Sequence, residues 1–194
     1  MPLAGLLLLA YLIGSFPTSY LVVYWLTGRD IRSMGTGNPG AMNVLDSVGK
    51  RPGSLVALVD VLKGMAAVGL AYALGLGNFE AVLAAFAAVI GHDYSIFLRL
   101  SGGNGTATGL GAATMLLPVP AMLATAVGVG LGVLLGNRRI GGMVAMLTFP
   151  ASASLLGAPA TLIYGGIALI LLAVAQIIYD EGFHLSAVRT RTRR

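Results

Sequence analysis

The sequence predicts an all-α polytopic membrane protein, a bundle of seven transmembrane helices forming one membrane-embedded unit over residues 1–194. Three observations predict it. The chain is 57% hydrophobic and only 10% charged, with a mean hydropathy of +0.88, whereas a soluble domain carries about a quarter charged residues. Apolar runs near the roughly 20 residues needed to cross a bilayer recur along its length. Basic residues collect in alternate loops.

The first span is read over 3–26. It opens "MPLAGLLLLAYLIGSF", with no basic leader and no clear cleavage site, so it is taken as a retained helix rather than a signal peptide. A polar, glycine-rich segment follows, and the next spans are read at 54–76 and 80–98. The apolar run 106–135 is too long for one crossing at about 1.5 Å per residue. "LLPVP" at 116–120 divides it, because proline removes a helix donor and clashes with the preceding turn. Helices are therefore expected at 106–117 and 120–136, with two more at 140–156 and 159–179.

Charge fixes the expected orientation. Arg29, Arg32, Lys50, Arg51, Arg99, Arg138, Arg139 and the tail arginines Arg189, Arg191, Arg193 and Arg194 all fall on one side of a seven-span arrangement, Lys63 being the exception. The positive-inside rule makes that side cytoplasmic, with the N-terminus outside and the C-terminus inside. The absence of cysteine excludes disulfides and thiolate chemistry. His92 and His184 lie far apart and show no metal-ligand spacing, so no metal is expected.

Two loops on the cytoplasmic side carry the chemistry. In "GTGNPGAMN", Gly35, Gly37 and Gly40 alternate with Thr36 and Asn38, and Asn43 closes the motif. In "RLSGGNGTATGLG", Gly102, Gly103 and Gly105 surround Asn104, directly before the fourth span. Glycine allows positive φ and close approach. Successive backbone N–H groups in such turns form a concavity for an anion, and a helix starting just beyond adds the positive end of its dipole. Each loop alone is ordinary turn chemistry. Two on one membrane face, both beside arginine, point to a phosphate-bearing ligand.

Within the spans, Asp60 and Lys63 lie three residues apart on one face of the second helix. Ionisable groups at membrane depth normally face a bundle interior or wet cavity. A mutually neutralised structural pair and a direct substrate contact both remain open. His92 and Asp93 approach the same face from the third span, shortly before the second glycine loop.

"YLIGSFPTSYLVVYWLTGRDIRSMGTGNPGAMNVLDSVGKRPG", "LVDVLKG" and "GHDYSIFLRLSGGNGTATGLG" together resemble the bacterial acyl-phosphate-dependent glycerol-3-phosphate acyltransferases, over about residues 11–111. The resemblance implies seven helices in the bacterial cytoplasmic membrane, with the active site facing the cytoplasm. It also implies transfer of a fatty acyl group from acyl-phosphate to the 1-hydroxyl of glycerol-3-phosphate, giving lysophosphatidate in phospholipid synthesis. No dedicated protein base is implied, because a substrate phosphate accepts the proton, and the resemblance implies no bound cofactor. Expected substrate-binding residues are Gly35, Gly37, Asn38, Gly40, Asn43, Gly102, Gly103, Asn104 and Gly105, with Thr36, Arg32, Lys63, His92 and Arg138 as the catalytic contacts. The expected partners are the two substrates and membrane lipids, with no nucleic acid and the oligomeric state left open.

This member diverges from the family pattern. Thr36 stands for a serine, Met42 for a threonine, Asp46 for an arginine, Asn104 for the lysine of a G-G-K-G loop, and Gly141 for a serine near Arg138. The tail lacks the usual histidine and asparagine spacing, although His184 is near. Two alternatives stand beside the enzyme reading. One is a non-catalytic or altered-specificity relative that binds lipid or phosphate ligands. The other, ranked lower, is a small transporter using Asp60 and Lys63 as an ion path.

Overall fold

The computed structural model describes the backbone of residues 3–191 and side chains as far as Tyr179. Among these residues every regular element is helical. The first apolar stretch is broken into α1 (Leu3–Ser15) and α2 (Thr18–Thr27). Pro17 has no N–H to give to Ile13, so Phe16 turns back to the Ile13 carbonyl and Thr18 to that of Phe16. The two pieces still form one apolar run, Leu3–Thr27, long enough to cross a bilayer. Gly28, at φ 68°, ends α2 by donating its N–H to Tyr24.

The segment between the first two spans, read from sequence as a loop, contains a short helix, α3 (Ala41–Ser47). Helix α4 (Lys50–Ala73) starts four residues earlier than the expected position 54. Pro52 does not prevent this, since a proline in the first turn forfeits no intrahelical hydrogen bond. Helix α5 (Asn78–Asp93) runs into a 3₁₀ turn, Ile96–Leu98, and then into the second glycine loop. Helices α6 (Thr106–Leu116) and α7 (Pro118–Leu134) are separated at Leu117, with Pro118 in the first turn of α7. Helix α8 (Arg138–Leu155) is capped by Asn137, whose side chain accepts from the N–H groups of Arg139 and Ile140. The last helix is α9 (Ala160–Arg191).

Among the described residues, four stretches are long and apolar enough to span a membrane: Leu3–Thr27, Lys50–Ala73, Asn78–Leu98 and Ala160–Tyr179. Helix α7 is apolar but shorter. The inner bundle packs through small residues, as expected where no hydrophobic force drives helices together in lipid. A Cβ on Gly64 would run into the Thr108 carbonyl of α6, and one on Gly14 into the backbone of Ala88 in α5. Helices α7 and α8 form a hairpin that closes where Gly128 and Gly132 meet Gly141. The side chains of His184, Arg189, Arg191, Arg193 and Arg194 lie outside the described residues.

Candidate functional site

The first glycine loop is organised by one buried side chain. The Asn43 carboxamide oxygen accepts from the Thr36 N–H at 3.1 Å and from the Ser47 hydroxyl at 3.0 Å. Its Nδ2 donates to the carbonyls of Met34 (3.0 Å), Asn38 (2.9 Å) and Ile31 (3.4 Å). Asn43 is therefore spent on holding the loop. Gly35 sits at φ 52° and Gly37 at φ 76°, where side chains are rarely accommodated. Gly37 donates back to Met34. Gly40 is the N-cap of α3, and Thr36 stands exposed on the outer rim.

The second loop follows a strained entry: Arg99 and Leu100, neither of them glycine, occupy the left-handed region at φ 56° and 62°. Gly102 and Gly103 then lie flat against the end of α5, donating to the carbonyls of Asp93 (2.9 Å) and His92 (3.2 Å). A Cβ on Gly102 would meet those carbonyls, and one on Gly103 would meet the His92 imidazole. The sequence suggests amides bared toward a ligand at these two positions, but the loop turns them inward. Their glycines serve close approach to α5. Asn104 accepts from the Thr106 hydroxyl at 3.2 Å. Gly105, at φ 63°, leads into α6 without a side-chain cap, so no side chain at the N-cap satisfies the first amides of that helix.

Beneath both loops lies a buried polar cluster. Asp60 and Lys63 pair at 2.7 Å on α4, and the His92 Nδ1 is 3.8 Å from the same Asp60 oxygen. Lys63 also donates to the Phe16 carbonyl, which accepts from the Thr18 N–H as well, and lies 5.8 Å from the Phe16 ring centre. Pro39, Gly102 and Gly103 share this small cleft with Asp60, Lys63 and His92. Its free space, about 10 Å³, accommodates a water rather than a substrate. Sequence reasoning missed the hydroxyl residues that line it, Ser15, Thr18, Ser19 and Ser95. The hydroxyls of Ser15 and Thr18 are buried in the cleft wall with no hydrogen-bond partner. The available signal was the cluster of hydroxyl residues around proline in "GSFPTS", unusual inside an apolar run.

Arg32 spans the two loops. Its guanidinium engages Asp30 at 2.7 Å and donates to the Leu98 carbonyl at 3.0 Å. The ion pair holds the Asp30 carboxyl below its usual range and raises the Arg32 guanidinium. Arg138 faces Asp46 across 3.5 Å, both side chains largely in the open. Asp46 thus falls beside Arg138, one of the cations expected to contact substrate.

A cavity of about 700 Å³ opens at this same end and runs between the α7–α8 hairpin and helices α6 and α9. Gly105, Thr106 and Arg138 form its polar mouth, and beyond them its walls are almost wholly apolar. The volume is that of a small-molecule site. Fold and cavity together define a helical membrane protein with a ligand-sized space that has a polar end and an apolar shaft.

The comparisons agree. The family model described as glycerol-3-phosphate acyltransferase matches residues 4–182, and the chain belongs to that family. It is 51% identical over 112 residues to "Glycerol-3-phosphate acyltransferase 2" of Moorella thermoacetica, covering 58% of this chain and 57% of that one. It is 39% identical over 156 residues to "Glycerol-3-phosphate acyltransferase" of Rubrobacter xylanophilus, covering 79% and 77%. The chain thus spans just over half the length of the Moorella relative. The solved structure of PlsY (YgiH), an integral membrane glycerol 3-phosphate acyltransferase, superposes in its glycerol 3-phosphate form with a TM-score of 0.83 at 27% identity, covering 95% of this chain and 92% of that one. Its lysophosphatidic acid form gives 0.81 at 25% identity, with the same coverage.

Proposed function

We propose that this protein transfers a fatty acyl group from acyl-phosphate to the 1-hydroxyl of glycerol-3-phosphate, as a single multi-pass unit of the bacterial cytoplasmic membrane. The observation that carries this reading is the continuity of mouth and shaft: Gly105, Thr106 and Arg138 line the same cavity as the apolar residues of α7, α8 and α9. A molecule with an anionic head and an aliphatic tail matches that profile. The forms in which PlsY was solved, with glycerol 3-phosphate and with lysophosphatidic acid, support it further.

In this reading the first amides of α6, the Thr106 hydroxyl and Arg138 hold the phosphate of the acyl donor. Glycerol-3-phosphate lies against the loop carrying Gly35, Gly37, Asn38 and Gly40, with Thr36 on its rim. The 1-hydroxyl oxygen bonds to the acyl carbon, the bond from that carbon to the phosphate oxygen breaks, and the hydroxyl proton passes to a substrate phosphate. Phosphate is a competent leaving group, so positioning and charge stabilisation carry the rate. Arg32, Asn43, Lys63 and His92 act through the backbone they hold: Arg32 ties the loops, Asn43 shapes the first, and Lys63 and His92 underlie the second with Gly102 and Gly103. Asn104 supports the start of α6 where a lysine stands in the family pattern.

Seven crossings with the active site facing the cytoplasm fit the same geometry. The Arg32–Leu98 and Arg138–Asp46 contacts link three stretches that carry basic residues, after α2, after α5 and at the start of α8, which supports their lying at one membrane face. The deciding experiment supplies purified protein with acyl-phosphate and glycerol-3-phosphate and measures lysophosphatidate and phosphate together. Formation of both in equal amounts is expected; product at the rate without protein overturns the assignment. Asn104→Lys is expected to leave the yield largely unchanged, the site having adapted to asparagine.

A further inference from the structure

The groove ends on an aromatic ring. Helices α6 and α8 run away from the mouth, and α7 and α9 run toward it, so the deepest lining residues are Ala113, Ala121, Phe149 and Gly166. Three of these are small. Phe149 is 5% exposed, and its ring packs so closely on Gly166 that a Cβ there would strike it. Below it the bundle is filled by Leu117, Ala153 and Leu162, all buried. Nearer the mouth the walls are opened by Gly109 and Gly142, where a Cβ would meet little or nothing.

We propose that Phe149 is the floor of the acyl groove and sets the longest chain the protein takes efficiently, a deepening that rests on the acyl-transfer reading above. Phe149 follows Arg138 by 11 positions on α8, about 16 Å along a helix axis. A zigzag of 1.52 Å carbon–carbon bonds at about 111° advances roughly 1.25 Å per carbon. About a dozen carbons therefore fit, extended, between the headgroup and the ring. Longer chains must bend or leave the groove toward lipid. Pro150 follows immediately and deprives the Met146 carbonyl of its helix donor, so the backbone just above the floor lacks one restraint.

The test compares acyl-phosphates of 8 to 18 carbons on three proteins. Phe149→Ala deepens the groove and is expected to shift the kcat/KM ratio of long over medium chains upward at least tenfold. Gly142→Leu works in the opposite sense. A Cβ at Gly142 meets nothing within 4 Å, and the position is one turn from Arg138, so the leucine plugs the upper shaft without crowding the bundle. It is expected to shift preference toward the shortest chains. Phe149→Leu replaces Phe149→Ala if the smaller side chain fails to fold. Unchanged length profiles in the floor variant and in Gly142→Leu, with turnover intact, overturn the floor while leaving the acyltransferase reading standing. Absence of turnover in the unmodified protein overturns that reading instead. The floor is then tested by the thermal stabilisation that lysophosphatidates of graded length confer, which must peak at different lengths in the variants.

Discussion

The guanidinium of Arg32 donates to the carbonyl of Leu98, 66 residues away, across 3.0 Å. That single contact joins the segment after α2 to the entry of the second glycine loop, and Asp30 holds the guanidinium in place through both carboxylate oxygens. Replacing Arg32 by alanine is expected to raise KM for glycerol-3-phosphate about tenfold, the scale of one hydrogen bond to a charged group. Arg32→Lys should recover little, because a lysine cannot serve Asp30 and the carbonyl with a fixed fork. Intact helical content by circular dichroism, with the KM change present, would separate positioning from misfolding.

The same pair has a pH signature. Because Arg32 depresses the Asp30 carboxyl, the stabilisation it brings is fully present above the ordinary carboxylate range. It is lost only as pH falls through the lower folded value. Proteolytic protection of the loop should therefore be flat from pH 8 down to about pH 5 and decline only in stronger acid. Asp30→Asn should abolish that acid step and leave the loop less protected throughout. An Asp30→Asn profile that still shows the step would assign it to another group.

Gly102 and Gly103 are placed by contact rather than by conformational freedom. Alanine at Gly102 would push the loop off the carbonyls of His92 and Asp93, so a loss of about 1–3 kcal/mol of stability is expected, as for overpacking in a filled interior. Alanine at Gly142, where a Cβ meets open space, should cost nothing and gain slightly from helix propensity. Thermal melts in one detergent compare the two directly.

Asp46 stands 3.5 Å from Arg138 with both side chains mostly exposed, and exposed pairs contribute little to stability. Asp46→Asn should therefore leave the melting temperature unchanged while lowering KM for acyl-phosphate a few-fold, since it removes a carboxylate competing for the same guanidinium. The gain should shrink with added salt. An unchanged KM at low salt would show that Arg138 does not meet the donor phosphate.

Much of the fold was legible in the sequence because bilayer thickness and the chemistry of proline act locally. The split at Leu117 and the break at Pro17 both follow from a missing N–H, although only the first is foreseen. Helix α3 is not, since "AMNVLDS" is too short for a periodic signal and is fixed by Asn43 gripping carbonyls up to 12 residues away. The site was legible in its residues and less so in their duties. Glycine spacing is the same whether amides face a ligand or a neighbouring helix, and only the backbone carbonyls of His92 and Asp93 distinguish the cases. The groove left almost no trace, because its walls are alanines, glycines and leucines like those of any membrane helix.

The buried pair of Asp60 and Lys63 supplies a last measurement. Both side chains are nearly inaccessible, 2% and 6% exposed, and 2.7 Å apart. Removing one partner leaves the other charge uncompensated, which costs about 3–5 kcal/mol in buried pairs. Asp60→Asn and Lys63→Met are each expected to melt well below the parent protein. The double variant should recover much of that loss, because neither charge then remains to be solvated. A double-mutant cycle on unfolding free energy reads the difference as a coupling of opposite sign to the single losses. If the pair is purely structural, turnover in the double variant should follow its stability and stay near the parent's at low temperature. Lost turnover in a well-folded double variant would instead make Lys63 a contact of the substrate, reached through a cleft that opens beyond its present single-water size.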